Sequence, residues 1–250
     1  MPRRRWKMNN YFSELCQSII QQIIVNESRN IEAAAGIMAD SIKNNGLIHV
    51  SGGHCQCYSM EMFYRAGGLV PVNPLLPHIF ATAPHTAFAS DLIYETEGVG
   101  EMIFNDQSVS ENDCIVLVSV AGRTIPTIDI ALAAKKRGLK IIVLQSLAFS
   151  QQTQPKHSSG LFLSDCADVL IDLHVPYGDA LISVEGVEEK ICPASSVVGF
   201  AVIQSLVTET VCLLANQNVE PPVWVSSNLD RGDDINRTYI RSMKSRVSCL

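Results

Sequence analysis

Hydrophobic positions along the chain change from helical spacing to strand-like runs near residue 46. Two amphipathic patterns open the chain and predict helices over about 9–26 and 30–45. The second pattern ends at Asn45-Gly46, a pair typical of a helix end. After this point short apolar runs alternate with helical patterns, which changes the expected architecture from a helical pair to a layered fold.

Runs of consecutive apolar residues predict strands that are buried on both faces. They lie at 47–50, 69–72, 114–118, 140–144 and 168–172. Further helices are predicted over about 55–66, 98–105, 124–137 and 194–216. The proline-rich stretch 73–90 is predicted as a long irregular loop, a type of segment that often carries function. Buried strands that alternate with helices indicate an α/β fold with a parallel sheet flanked by helices.

The clearest unit is a strand–loop–helix–strand crossover over 114–144. Thr124 is a favourable helix N-cap, Pro126 suits the first turn, and Lys135-Lys136-Arg137 complement the dipole at the last turn. A chain of 250 residues needs only one such domain. We expect a disordered lead-in at 1–8 and a single domain at 9–250, made of N-terminal helices 9–45, a sheet core 46–217 and a C-terminal extension 218–250.

Composition narrows the classes of partner. A net charge of −6 gives no electrostatic reason to expect nucleic acid binding. No uncharged apolar stretch reaches the length of a membrane span, so no membrane partner is expected. The eight cysteines are scattered and no secretion signal precedes them, which favours the reducing cytoplasm. Cys55 and Cys57 beside His54 lack the spacing of a zinc site, and nucleotide-binding glycine motifs are absent, so neither a metal nor a cofactor is expected.

Two loops that follow predicted strands have the composition of an anion site. They are Ser51-Gly52-Gly53-His54-Cys55 and Ser119-Val120-Ala121-Gly122-Arg123-Thr124. Glycines let the backbone approach an anion, while hydroxyls and helix N-terminal N–H groups can bind its oxygens. In parallel sheets ligands bind at this carboxyl edge. The alternative is that both loops are ordinary strand-to-helix turns.

Several segments together resemble a known family. They include IHVSGGH, SVAGRTIPTIDIALAAKKRGLKIIVLQS, KHSSG, PYGDA, EGVEEKICPASS and VEPPVWVSSNLD, within a resemblance that covers about residues 8–240 in order. The chain is similar to a bacterial, phosphoheptose isomerase-like branch of the SIS (sugar isomerase) superfamily. The resemblance implies a five-stranded parallel sheet, phosphosugar binding, and dimers or tetramers with sites near subunit interfaces.

The resemblance also implies which residues contact the phosphate. They are Ser119, Gly122, Arg123 and Thr124 of the second loop, Ser51, Gly52, Gly53 and Cys55 of the first, and Lys190, Ser195 and Ser196 around the start of the last long helix. Two positions depart from the family pattern, because Ala121 and Cys55 stand where serines are expected. Each lost hydroxyl removes one hydrogen bond to the anion, and Arg123 can compensate with a charge-assisted contact.

The implied catalytic groups are carboxylates and histidines. Glu97 resembles the base of the muramic-acid-phosphate etherases, Glu61 is a second candidate, and His54 and His157 could open a sugar ring. Glu97 could instead complement a helix dipole, and Glu61 could pair with Arg65 on a solvated face. The activity expected is an aldose–ketose sugar-phosphate isomerase. The alternatives are an etherase-like lyase on an amino-sugar phosphate and a non-catalytic sugar-phosphate sensor.

The apolar faces of the two N-terminal helices and of the 194–216 helix exceed what one small sheet can cover. We therefore predict a stable homodimer or larger assembly. Sedimentation velocity at micromolar concentration should give a species of at least twice the monomer mass of 27.3 kDa. Sedimentation as a monomer under these conditions would contradict the prediction.

Overall fold

Five parallel strands form the sheet at the centre of the fold, as the sequence predicts. The computed structural model describes residues 11–52, 56–77, 86–247 and 249–250. The strands are β1 (Ile48–Gly52), β2 (Val72–Pro74), β3 (Cys114–Val118), β4 (Lys140–Gln145) and β5 (Val169–Asp172). Their order is β2-β1-β3-β4-β5. Every residue of β1 and β3 is buried, which explains the uninterrupted apolar sequence of β3; in β1 the polar side chains of His49 and Ser51 are buried as well.

Helices cover both faces of this sheet. In chain order they are α1 (Tyr11–Asn26), α2 (Ser28–Lys43), α3 (Cys57–Met62), α4 (Ala87–Tyr94), α5 (Val99–Asn105), α6 (Ile125–Lys136), α7 (Leu147–Ser150), α8 (Ser195–Asn216) and α9 (Gly232–Met243). One apolar core lies between the sheet and α1, α2, α3 and α8. A second core lies between the opposite face and α5, α6 and the 3-10 turn Leu163–Cys166.

The α8 helix is the one described helix that is long and apolar enough to cross a membrane. It packs against α1, α2 and α3, and its row of Val198, Val202 and Leu206 is buried in the first core. A core helix passes the same test of length and composition, so this feature is weak evidence for a membrane.

Two predicted elements around the edge strand are shifted. The predicted strand 69–72 is wrong in its bounds, because β2 occupies Val72–Pro74. Leu69 instead pairs antiparallel with Val223 in the predicted C-terminal extension. The predicted helix 55–66 is shortened to α3. It ends because Phe63 is extended and Tyr64 has a positive φ of 50°, which places the Tyr64 ring 4.7 Å from that of Trp224.

The structure also corrects the predicted 73–90 loop. Residues 73–74 belong to β2, and the helix α4 begins at Ala87. Residues 78–85 of that loop lie outside the described residues, as does the predicted lead-in 1–8. Elements that the sequence patterns did not predict are α7, α9 and the antiparallel hairpin of β6 (Ala180–Ile182) and β7 (Ile191–Pro193).

A buried carboxylate fixes the amino edge of the sheet. Asp113 accepts hydrogen bonds from the backbone N–H groups of Leu47 (2.7 Å) and Ser110 (2.8 Å) and from His49 Nε2 (3.1 Å). Burial raises the pKa of the Asp113 carboxyl, but these hydrogen bonds lower it by more, so its net pKa lies below the ordinary value. The ionised form of Asp113 therefore stabilises the folded state.

Asp113→Asn should lower the free energy of unfolding by about 1–3 kcal/mol at pH 7, because the amide leaves buried N–H donors without an acceptor. Asp113 has its pKa lowered by folding, so its stabilisation is present above the unfolded pKa of about 3.9 and is lost as pH falls through the folded value. Urea titrations at pH 7 and pH 3 should show the parent–variant difference shrinking in acid. Asp40→Asn, at an exposed position, is the control, and an equal effect of the two variants would contradict the assignment.

Candidate functional site

A cavity of about 560 Å³ opens at the carboxyl edge of the sheet, where β1 and β3 end side by side. The two loops predicted as anion sites reach this edge together, because Gly52 pairs with Val118 in the parallel register. The cavity is lined by Gly52, Asp91, Leu92, Tyr94, Glu95, Val118, Ser119, Val120, Ala121, Arg123, Thr124, Thr127 and Lys156. Ser119, Arg123, Thr124 and Gly52 are thus brought together as predicted.

The second loop presents a pair of hydroxyl groups. Ser119 is buried, and its Oγ lies 2.8 Å from Thr124 Oγ1. Thr124 occupies the N-cap position of α6, but its side chain makes no capping hydrogen bond, which corrects the expectation that the hydroxyl caps the helix. Two hydroxyls that bond to each other use one of their two hydrogens. The contact between Ser119 and Thr124 therefore leaves one hydroxyl hydrogen to donate to a ligand.

Gly122 holds this loop in a conformation that side chains disfavour. Its φ is +68°, and an added Cβ would lie 2.2 Å from the Gln145 side chain. Gln145 Oε1 in turn accepts the Ser164 N–H at 3.0 Å, and the Gly122 carbonyl accepts the Leu163 N–H at 2.7 Å. The end of β4 and the 3-10 turn Leu163–Cys166 therefore both constrain the conformation of the loop.

The first loop is closed internally by Gln56. Its Oε1 accepts hydrogen bonds from the Gly52 N–H (2.7 Å), the Ser51 hydroxyl (3.3 Å) and the Ser59 hydroxyl (3.1 Å). Gly52 has a φ of +127°, and a Cβ there would lie 2.0 Å from the Val118 carbonyl oxygen. The Ser51 hydroxyl therefore donates its hydrogen bond to Gln56, within the chain. The predicted residues Gly53, His54 and Cys55 lie outside the described residues.

The third predicted phosphate contact, at the start of α8, is occupied by a carboxylate of the chain. Asp179 accepts the Ala194 N–H at 3.0 Å and, from Ser195, the N–H at 2.8 Å and the hydroxyl at 2.7 Å. Ser196 is exposed one position further along α8. Lys190 is exposed in the segment between β6 and β7. None of these predicted residues is among the described residues that line the cavity.

Glu97, predicted as a catalytic base, binds the neighbouring loop. Its carboxylate accepts the Ser158 N–H and the Ser158 hydroxyl, both at 2.6 Å. The hydrogen bond from the hydroxyl, followed by that from the backbone, lowers the pKa of Glu97. Among the described residues the cavity lining contains Glu95 rather than Glu97.

His157 forms a buried pair with Asp129. His157 Nε2 lies 3.1 Å from Asp129 Oδ1, and the Ser159 N–H donates to Nδ1 at 3.0 Å, which assigns the ring hydrogen to Nε2. Asp129 Oδ2 accepts the N–H groups of Gly98 (2.8 Å) and Gly100 (3.2 Å). His157 thus joins its loop to α6 and to the start of α5.

Glu61 of α3 forms the ion pair with Arg65 that the alternative interpretation named, but its side chain is only 13% exposed and does not lie on a solvated face. Its carboxylate lies 3.7 Å from Arg65 Nη1 and accepts a hydrogen bond from Gln204 Nε2 at 2.8 Å. Glu61 is not among the described residues that line the cavity. Its partners, Arg65 after the end of α3 and Gln204 on α8, hold it beside the helical layer that carries the first core.

Three charged residues of the cavity were missed by sequence reasoning. Asp91 and Glu95 come from the end of α4 and the turn after it, and Lys156 comes from the loop after α7. Lys156 Nζ lies 2.8 Å from Glu95 Oε1, and this hydrogen bond, followed by the lysine charge, lowers the pKa of Glu95. The sequence predicted site residues in both of these segments, Glu97 in 95–98 and His157 in 156–158. Only the fold shows that Glu95 and Lys156 are the members that line the cavity.

The chain matches one family model and is similar in sequence to proteins of nearly the same length. The family model described as SIS domain matches residues 10–146, more than half of the chain. A UPF0309 protein of Thermoanaerobacter pseudethanolicus is 34% identical over 246 residues, which cover 96% of this chain and 98% of that protein. The similarity therefore extends over almost the full length of both chains.

Two solved structures share the fold. A phosphoheptose isomerase from Neisseria gonorrhoeae superposes with a TM-score of 0.51 at 16% identity, covering 84% of this chain and 97% of that one. The NanR protein of Vibrio vulnificus, solved in complex with ManNAc-6P, gives a TM-score of 0.53 at 12% identity, covering 96% of this chain and 71% of that one. At these identities the likeness establishes the shared fold alone.

Proposed function

We propose, from the premise that the chain belongs to the SIS domain family, that it binds a sugar phosphate in the cavity beside Ser119 and Thr124. The hydroxyl pair of these two residues carries the proposal. It lies at the carboxyl edge of a parallel sheet and at the start of α6, the two features that favour anion binding in such folds. The ManNAc-6P complex of the structurally similar NanR protein supports the same ligand class.

The phosphate would rest on the second loop. One hydroxyl of the pair donates to a phosphate oxygen. Pro126 has no N–H and the Thr127 N–H donates to the Thr124 carbonyl, so the start of α6 contributes mainly through the helix dipole. Arg123 lines the cavity, and its Nη1 contacts the Gln154 carbonyl at 3.4 Å. In the proposal its guanidinium adds a charge-assisted contact to the phosphate. This arrangement compensates for Ala121, which lines the cavity in place of the expected serine.

The reaction we propose is aldose–ketose isomerisation. A base must remove a proton from one sugar carbon so that it can return to the adjacent carbon. Of the described carboxylates, Asp91 and Glu95 line the cavity and are placed to contact a bound sugar. The base would therefore come from this wall. We further propose a cytoplasmic homo-oligomer, in keeping with the apolar side chains exposed on α1 and α8, Ile24, Val25 and Val197.

A second candidate function is a non-catalytic sugar-phosphate sensor. The observation that favours it is the position of Glu97, whose carboxylate is bound by Ser158 instead of lining the cavity. A site that holds phosphate on a preformed loop without a dedicated base would bind its ligand and leave it unchanged. Turnover of a bound sugar phosphate distinguishes the two functions.

Thr124→Val should weaken binding of inorganic phosphate and of sugar phosphates by about tenfold to a hundredfold, the effect of one hydrogen bond to a charged group. The variant should lose about 0.5–1.5 kcal/mol of stability with its bond to Ser119. Isothermal titration calorimetry measures the affinity. Thr208→Val, at an exposed position on α8, is the control. If Thr124→Val binds phosphate as tightly as the parent protein, the loop is only a turn.

Sugar phosphates that bind should exchange the hydrogen on carbon 2 with deuterium in D₂O, as followed by NMR. Replacing the base lowers turnover by about 10²–10⁴-fold, and we expect this drop for Glu95→Gln. Glu97→Gln should retain exchange, because Glu97 binds Ser158 outside the cavity lining. A drop of this size in Glu97→Gln alone would return the base to Glu97. Absence of exchange for every ligand that binds would favour the sensor.

A further inference from the structure

The Glu95–Lys156 ion pair stands out among the charged groups of the cavity. Its two side chains come from separate segments, the turn after α4 and the loop after α7, and meet at 2.8 Å. Both line the cavity together with Asp91 and Arg123. Both are also open to solvent, with side-chain exposures of 61% for Glu95 and 42% for Lys156. Water-exposed pairs of this kind contribute little to stability.

The pair is not needed to join the two segments, because better-shielded contacts do so nearby. Ser158 donates two hydrogen bonds of 2.6 Å to Glu97. The buried His157–Asp129 pair links the same loop to α6, and Asp129 also accepts the Gly98 N–H. The chain is therefore already held in place at Glu97 and Ser158, which lie two residues after Glu95 and Lys156. The position of Glu95 and Lys156 on the cavity wall calls for another explanation.

The chemistry of the pair matches the hydroxyl groups of a sugar. A hydroxyl is both donor and acceptor, so Glu95 can accept from one hydroxyl while Lys156 donates to another. The Glu95 carboxylate is ionised at neutral pH and is therefore an acceptor, and the hydrogen bond from Lys156 lowers its pKa further. The two groups come from segments other than the Ser119–Thr124 loop, so they can contact the end of a ligand that the loop does not bind.

The charges also disfavour a second anion on the ligand. Asp91 and Glu95 are both acidic, and Lys156 is already paired with Glu95. A second phosphate or a carboxylate beside them would meet like charges in a partly enclosed space, which costs binding free energy. Uncharged hydroxyls meet no such penalty.

We propose that the Glu95–Lys156 pair recognises the uncharged, hydroxyl-bearing end of the ligand and thereby selects sugar monophosphates over sugar bisphosphates and phosphorylated sugar acids. The proposal rests on the proposed function, since the phosphate must occupy the Ser119–Thr124 loop. It assigns the specificity of the site to two residues outside that loop.

The test compares affinities for three probes: inorganic phosphate, an aldohexose 6-phosphate and a hexose 1,6-bisphosphate. In the parent protein the monophosphate should bind at least about tenfold more tightly than inorganic phosphate, the scale of one charge-assisted hydrogen bond. Lys156→Met should abolish this advantage and leave the affinity for inorganic phosphate unchanged. Glu95→Gln should also reduce it and should narrow the discrimination against the bisphosphate.

Lys140→Met is the matched control. Lys140 makes an equally short pair of 2.7 Å with Asp168, at comparable exposure and outside the cavity lining. We expect this variant to bind all three probes as the parent does. If Lys156→Met weakens inorganic phosphate and the monophosphate equally, Lys156 is a general anion contact and the proposal is wrong. If it changes neither affinity, the pair is an ordinary surface pair and the proposal is equally wrong.

The same data separate this proposal from the proposed function. Binding of inorganic phosphate that depends on Thr124, without any preference for the monophosphate, would overturn the role of Glu95 and Lys156 while supporting the phosphate loop. Failure of the parent protein to bind any of the probes would overturn both.

Discussion

The Asp129 carboxylate fixes the parts of the cavity relative to one another. One of its oxygens accepts the N–H groups of Gly98 and Gly100, and the other accepts Nε2–H of His157. Since α6 begins directly after Thr124, the same helix holds the phosphate loop at its first turn and both charged wall segments one turn later. Gly100 permits this approach, because a Cβ there would lie 1.9 Å from the Pro126 carbonyl oxygen. The relative placement of the Ser119–Thr124 loop and of both wall segments therefore depends on this buried acceptor together with the Glu97–Ser158 contact.

Hydrogen-bonding capacity is distributed unequally among the three places where the family resemblance implied phosphate contacts. The Gln56 side chain accepts the Gly52 N–H and the Ser51 hydroxyl of the first loop, and the Asp179 carboxylate accepts the N–H and the hydroxyl of Ser195 at the start of α8. A carboxylate at the α8 terminus also supplies the negative charge that a helix N-terminus favours, so a phosphate there would have to displace it. The hydroxyl pair of Ser119 and Thr124 retains a hydrogen to donate, which is why we propose that the phosphate binds at this loop.

The charge of the whole protein does not attract the proposed ligand. At a net charge of −6, long-range electrostatics oppose the approach of a phosphate, although salt screens this effect beyond about 8–10 Å. Affinity must then come from short-range interactions, which in our proposal are those of the Ser119–Thr124 hydroxyls, the α6 dipole and Arg123. The Glu95–Lys156 pair is neutral as a unit, so in our proposal it recognises hydroxyls without competing for the phosphate, while Asp91 adds a negative charge to the same wall.

The sequence alone was enough to predict the sheet and to place the Ser119–Thr124 loop at the end of one of its strands. Apolar runs such as 114–118 and 140–144 can only be satisfied by burial on both faces, and the Ser119–Thr124 segment must follow one of them at the carboxyl edge. The family resemblance added the expected strand number.

Local patterns could not separate Glu95 from Glu97, or assign Lys156 to the cavity. Two neighbouring glutamates have the same local signal, and which one faces the ligand depends on Ser158 and Lys156, which lie about 60 residues away and approach only when the loop after α7 docks. The same reason explains why Gln56 and Asp179 could not be recognised as internal acceptors: for Asp179 the donors lie in another element, and for Gln56 the contact requires a left-handed backbone with a φ of 59° that its sequence does not favour. Tertiary structure alone decided which polar groups face the ligand, because that choice depends on partners brought together by folding.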